Sequence, residues 1–175
     1  MTNFDYFYSQ NYNKPMNNKD YDCIVGESDF RDFSQWWEGY LPAYIVVYCK
    51  EGNAMLNLHF EPYSFSKGMM AIISYDMFPS ISDISDDFNA AYCLFDRDFG
   101  DQIFYEIPSN YFDLFYWHPV AETNAILVEW LNILFKTHAE TEYICRKELL
   151  SNAIKCLFIC GLNLWKERFG DMPVK

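Results

Sequence analysis

Residues 43–81, AYIVVYCKEGNAMLNLHFEPYSFSKGMMAIISYDMFPSI, carry the strongest structural signal in the chain. Tyr44–Lys50 is a run of β-branched and aromatic residues, and Glu51-Gly52-Asn53 after it has the composition of a tight reversal. Met55–Phe60 alternates: Leu56, Leu58 and Phe60 fall on one face, Met55, Asn57 and His59 on the other. Glu61-Pro62 ends that strand, because proline cannot donate to a ladder. Lys67-Gly68 marks a second turn, and Met69–Tyr75 is a further apolar strand. Short strands with closely spaced turns predict a small antiparallel sheet, sandwich or barrel rather than a parallel sheet.

On the N-terminal side, residues 1–22 are polar and rich in Asn and Tyr. They read as an arm, its tyrosines packed on a neighbouring surface or closing over a ligand. Cys23-Ile24-Val25 could form a short strand, and Asp29–Tyr40 a loop or short strand feeding the sheet. On the C-terminal side, the polar turn Ser82–Asp87 precedes another strand, Phe88–Phe95. Asp96–Asp101 reads as a turn or helix start, Gln102–Tyr116 as irregular, and Trp117-His118-Pro119 as the close of the β-rich part.

The period then changes. Ile126, Leu127, Trp130, Leu131, Leu134 and Phe135 recur at three- and four-residue spacing, which predicts an amphipathic helix beginning near Glu122. A second helix is expected from Glu140 to about Phe169, stopped by Gly170 and Pro173. The expected division is therefore a β-rich part with its arm over 1–121 and a helical part over 122–175.

The 175 residues suffice for one domain, or one with an appendage, and 51% hydrophobic content allows a sizeable core. The net charge of −12 lies entirely before Glu122, since the residues from Glu122 onward hold as many acids as bases. Such a field repels phosphate, so nucleic acid and anionic membrane surfaces are poor partners for these residues themselves. The N-terminus lacks a basic and apolar leader, and the apolar runs are too short to span a bilayer. None of the six cysteines forms a C-x-x-C pair, so reduced thiols in a cytoplasmic protein are expected.

Catalytic and metal chemistry find little support. His59, His118 and His138 are far apart in sequence, which does not suit a histidine-rich metal centre. A calcium loop started at Asp83 would put Phe88 where glycine is required and Leu94 where a bidentate glutamate is required. No phosphate-binding loop, nucleophile elbow or dinucleotide fingerprint occurs. No catalytic residue, metal or cofactor is expected. The abundance of Tyr and Trp suits instead a small polar organic ligand such as a sugar, though the same residues also serve as core.

Taken in order, Glu51-Gly52, Tyr63–Gly68, Met69–Pro79 and Ser85-Asp86-Asp87-Phe88 before an apolar strand resemble the sensor domain of AraC-type transcription regulators, in the form found in Bacteroides-like bacteria. The step at Pro119 into two helices, including Tyr143–Leu150, extends the resemblance to roughly Trp165. It implies an α+β fold: an antiparallel cupin-like barrel (double-stranded β-helix) followed by a two-helix antiparallel hairpin. It also implies a small-molecule effector and a homodimer. In that family DNA is bound by a further C-terminal unit with helix-turn-helix motifs, which would begin where Lys175 stands.

On this reading the effector site is expected at Tyr48, His59, Tyr75 and Trp117, with Trp37 as a lid. The dimer interface is expected at Trp130, Leu150, Ile154 and Leu157. The competing expectation is a standalone metal-free cupin that binds or isomerises a small metabolite.

Overall fold

The computed structural model describes residues 23–31 and 43–170, so Trp37 and residues 1–22 lie outside the described residues. The fold is mixed α+β and built on antiparallel sheets. Its strands are β1 (Ile24–Ser28), β2 (Ala43–Glu51), β3 (Asn53–Leu58), β4 (Glu61–Ser66), β5 (Met69–Ile73), β6 (Pro79–Ser82), β7 (Asn89–Asp96) and β8 (Val120–Glu122). Helices α1 (Arg97–Phe104), α2 (Asp113–Trp117), α3 (Ala125–Ala139) and α4 (Arg146–Phe169) follow or flank β8.

The expected reversal at Gly52 is not a hairpin. β2 pairs with β5 and β7, whereas β3 pairs with β4 and β6. The chain thus forms a long ribbon, β2–β3 against β4–β5, that folds over at Gly52 on one strand and Lys67-Gly68 on the other. Its two ends lie in different sheets, a five-stranded one ordered β1-β7-β2-β5-β8 and a three-stranded one ordered β4-β3-β6. No ladder joins these sheets into a closed barrel among the described residues, so they form a two-sheet sandwich.

Backbone geometry explains the bend. Gly52 has φ +71°, and a Cβ there would meet Phe88 backbone atoms at 2.7 Å and the Ser85 hydroxyl at 2.5 Å. The same hydroxyl accepts the Asn53 N–H at 2.9 Å, and the Ser85 N–H donates back to the Asn53 carbonyl at 2.9 Å. On the other strand, the Gly68 N–H donates to the Cys49 carbonyl at 2.9 Å, while its own carbonyl accepts the Thr123 N–H and hydroxyl.

The large sheet is buried on both faces. Ile45, Val47, Cys49, Ala71, Ile73, Tyr92 and Leu94 face the small sheet in one core. Tyr44, Val46, Met70, Ile72, Ala91, Cys93 and Phe95 face the helices in the other. This is the period-2 alternation of a pleated strand with apolar partners on both sides. Fully burying such a side chain contributes about 1.5–3 kcal/mol. The helical core is therefore continuous with the sheet, and the expected division at 121/122 falls inside β8.

The segment read as a turn followed by irregular chain contains two helices. Asp96 accepts the Phe99 N–H at 2.7 Å and caps α1. Gly100 lets that helix settle onto the Tyr44 ring, since a Cβ would lie 2.4 Å from it. Asn124, two residues past the expected start at Glu122, caps α3 by accepting the Leu127 N–H at 3.0 Å. Helix α4 begins at Arg146, after Cys145 at φ +56°, and stops at Gly170. Buried Trp165 donates its indole N–H to the His118 carbonyl, tying α4 to the corner between α2 and β8.

Gly52→Ala combines a left-handed φ with a backbone clash and should cost about 2 kcal/mol or more. Urea unfolding followed by circular dichroism is expected to show a lower midpoint at unchanged slope.

Candidate functional site

The core between the two sheets contains a cavity of about 20 Å³ lined by Phe30, Val47, Leu56, Phe65, Ile73, Ser80 and Ile81. Alternation puts them there: Val47 of β2, Leu56 of β3, Phe65 of β4 and Ile73 of β5 all point inward. The space is about that of one water, yet its lining offers almost no polar partner, so it is dry space. Ser80 is exposed and Ile81 half-buried, which makes edge strand β6 the side nearest solvent.

Phe30 supplies an aromatic part of the wall. It lies just past β1 at φ +57°, is 4% exposed, and its ring edges onto Phe88 and Tyr92 at centroid distances of 6.3 and 5.7 Å. The Phe30 N–H donates to the Ser28 hydroxyl at 3.0 Å. Next to it, the Arg31 guanidinium donates to the Ser85 carbonyl at 3.2 Å and the Asp86 carboxylate at 3.3 Å. The aromatic wall is thus held from outside by polar contacts to the β6–β7 connection. Contacts of this exposed kind are individually weak.

Of the residues expected to bind the effector, Tyr48, His59, Tyr75 and Trp117 are described, and none of these four lines the cavity. Tyr48 packs on the helical side of the large sheet, as does Tyr75, which lies under the Arg97 guanidinium at 4.4 Å. Tyr75 also edges onto Tyr44, whose hydroxyl donates to the Asp101 carboxylate at 3.2 Å. Burial first, and then the Asp101 charge, hold the Tyr44 phenol well above its usual range. It stays protonated and serves as a donor. Trp37 lies outside the described residues.

His59 and Trp117 are brought near each other through Tyr116. The His59 ring lies 5.5 Å from Tyr116, which lies 5.7 Å from Trp117. Trp117 is 54% exposed, and the neighbouring Phe60 and Phe78 are also exposed. His59-Phe60 is the two-residue β3–β4 turn, with φ +51° and +68°, between paired Leu58 and Glu61. Positive φ at both positions is the pattern of a type I′ turn, normally built from Asn and Gly. The His59 Nε2 atom is buried there without a hydrogen-bond partner.

Three of the four residues expected at a dimer interface are buried within the protomer. Leu150, Ile154 and Leu157 are 4%, 0% and 0% exposed, because they face the large sheet within the protomer's own core. Trp130 is half-buried and packs against the helical core, as does Cys160. Large apolar residues left outside on these helices are Ile126 at 59% and Ile133 at 43% exposure on α3, and Leu149 at 45%, Ile159 at 40% and Phe169 at 39% on α4. Helical periodicity found the apolar faces, but a long helix carries two of them.

Other titratable groups act structurally. Burial pushes the Cys49 thiol up to about 11, and it donates to the Glu51 carbonyl beside the ribbon bend at 3.3 Å. His138 is held below its ordinary value by burial and then by the Arg146 charge. No three His, Cys, Asp or Glu residues gather as a metal site among the described residues. No helix among them is long and apolar enough to cross a membrane.

No family model and no curated protein matches the chain. Solved structures resemble it in fold. A structure of an apo ToxT variant from Vibrio cholerae strain SCE256 is 10% identical and aligns with 92% of this chain and 62% of its own, at a TM-score of 0.54. Wild-type ToxT of the same strain, bound to an unsaturated fatty acid, is 9% identical over 93% of this chain and 60% of its own, at a TM-score of 0.50. The AraC-like transcriptional activator CuxR is 10% identical over 86% of this chain and 59% of its own, at a TM-score of 0.48. ToxT and CuxR are both AraC-family regulators. The chain spans about three fifths of the length of these structures.

The strained turn gives a direct test. Replacing His59-Phe60 by Asn-Gly removes two unfavourable left-handed residues, each costing about 1–2 kcal/mol, against some added unfolded-state entropy. The double variant should gain about 1 kcal/mol, read as a thermal midpoint raised by a few degrees.

Proposed function

We propose that the chain is the effector-sensing part of an AraC-type transcription regulator, and that its effector enters between the two sheets. The apolar cavity at that place, in a fold shared with ToxT, carries the reading. The chain acts in this view as a binder and not a catalyst, in the cytoplasm, with promoter binding supplied by a further basic unit. The ribbon of strands is read as an opened relative of the cupin barrel.

The lining favours an apolar effector with one polar end over a sugar. Every buried sugar hydroxyl would need a partner, and each one left unpaired costs on the order of 1–3 kcal/mol. Ser80, at the solvent side, is the single hydroxyl among the lining residues. One ToxT structure holds an unsaturated fatty acid, a molecule of that kind. Ligand pockets measure about 300–1,000 Å³, so the cavity has to widen on binding. Rotation of Phe30 or separation of β6 from the large sheet would do this, and the ligand would stabilise the widened arrangement.

Oleate titrated into the purified chain should raise its thermal midpoint, by mass action on the folded state. Val47→Phe, which fills the cavity, should abolish that shift while leaving a cooperative transition. An undiminished shift in this variant would place the ligand elsewhere.

A homodimer through the outer faces of α3 and α4 completes the reading. Ile126, Trp130 and Ile133 repeat at four- and three-residue spacing, and Ile159 lies exposed on α4. A double replacement of Ile133 and Ile159 by Glu should yield folded monomers in analytical ultracentrifugation. A dimer of unchanged affinity would exclude this face.

A further inference from the structure

Cys23 and Cys93 meet in the helical core with their Sγ atoms 3.4 Å apart, both buried and both free thiols. Val25 of β1 stands opposite Cys93 of β7, so Cys23 occupies the diagonal place on the same face. Cys23 is also fixed through its backbone. Its carbonyl accepts from His138 Nε2 at 3.1 Å, and since a carbonyl only accepts, that nitrogen carries the proton. The Arg146 guanidinium in turn donates to the His138 carbonyl at 2.7 Å, so the ends of α3 and α4 converge on this point.

We propose that Cys23 and Cys93 form a reversible dithiol–disulfide pair that fastens the entry to β1 onto β7. A disulfide holds its sulfurs about 2.05 Å apart, so the two must approach by roughly 1.3 Å. The oxidant is a peroxide. The sulfur of one cysteine, after losing its proton, attacks a peroxide oxygen; the O–O bond breaks, leaving a sulfenic acid and, from hydrogen peroxide, one water. The second sulfur then attacks the sulfenic sulfur, the S–O bond breaks, and a second water leaves with the second thiol proton. Overall, two thiols lose two protons and two electrons, and one hydrogen peroxide becomes two waters.

The surroundings set when this happens. Burial first, and then the bond with Cys23, hold the Cys93 thiol well above its ordinary range. Thiolate is scarce in the closed protein, and reaction follows opening at the β1 end. β1 is an edge strand, which opens more readily than a central one. The bond would close a span of 70 positions and fix the strand that leads into Phe30. Any effect on effector binding rests on the proposed cavity; the bond itself does not.

The test is a peptide map of the full chain. The protein is treated with hydrogen peroxide, remaining thiols are alkylated without reduction, and trypsin releases residues 20–31 and 68–97, which hold Cys23 and Cys93. The expected product is these two peptides joined and two hydrogens lighter than their sum. Dithiothreitol should separate them, and the oxidised protein should melt several degrees higher than the reduced one. Cys23→Ser and Cys93→Ser should each abolish the linked product, whereas Cys145→Ser should not. Recovery of both peptides with alkylated cysteines, or their linkage to other cysteines instead, overturns the proposal. If a serine variant does not fold, the wild-type map alone decides.

Discussion

The five-stranded sheet packs an apolar core against each of its faces, and that constraint organises the rest of the molecule. Along β2, Tyr44 and Val46 must find helices while Ile45, Val47 and Cys49 must find a second sheet. A slip of one residue would exchange the two sets, so register is fixed from both sides. The ladder between β2 and β7 shifts register only between Cys49 and Glu51, next to Gly52. There the ribbon leaves one sheet and turns into the other. The covering sheet is therefore the same ribbon folded back, and the helices supply the opposite cover.

Much of this was legible in the sequence because alternation and helical period are direct consequences of burial. The strands at 44–50, 55–58 and 69–73, and the two long helices, follow from that pattern. The pairing of β2 with β5 and β7 was hidden. A glycine turn looks alike whether it closes a hairpin or bends a ribbon, and what decides is the crowding of Gly52 against Phe88 and Ser85, distant in sequence. Helix α1 was half legible, since its cap is the Asp96-to-Phe99 bond. Its seat on Tyr44 depends on a tertiary contact at Gly100. β8 is too short to carry a period at all.

The site was harder to read, for a physical reason. Polar-tipped aromatics attract attention as ligand contacts, yet in a strand with two apolar covers the sequence does not tell which cover each side chain faces. Tyr48 and Tyr75 went to the helical side, where Tyr75 lies beneath Arg97. Of Leu56, Leu58 and Phe60, which the alternation puts on one face, Leu56 and Leu58 point into the inner core, whereas Phe60 falls in the exposed β3–β4 turn. Phe30 had no sequence signal. Its place against the sheets comes from a left-handed backbone at the end of β1 and the ring contacts with Phe88 and Tyr92. The helices posed the same ambiguity, with Leu157 inside and Ile159 outside on one apolar-rich helix.

Because one sheet serves two cores, the cavity and the helices are not mechanically separate. Ile73 of β5 lines the cavity, and its neighbour Ile72 faces the helices. The Ile72 N–H donates to the Pro119 carbonyl at 2.9 Å, and the adjoining His118 carbonyl accepts from Trp165 of α4. His118 also stacks on Phe169 at 4.1 Å, and Arg168 reaches Glu122 of β8 at 3.5 Å. Close-packed interiors yield little space locally, so an effector that widens the inner core must displace β5 or the sheet opposite it. If β5 moves, the contacts that hold the last turns of α4 move with it. Under the proposed function, the sheet's double burial would couple a ligand in the inner core to the C-terminal end of α4.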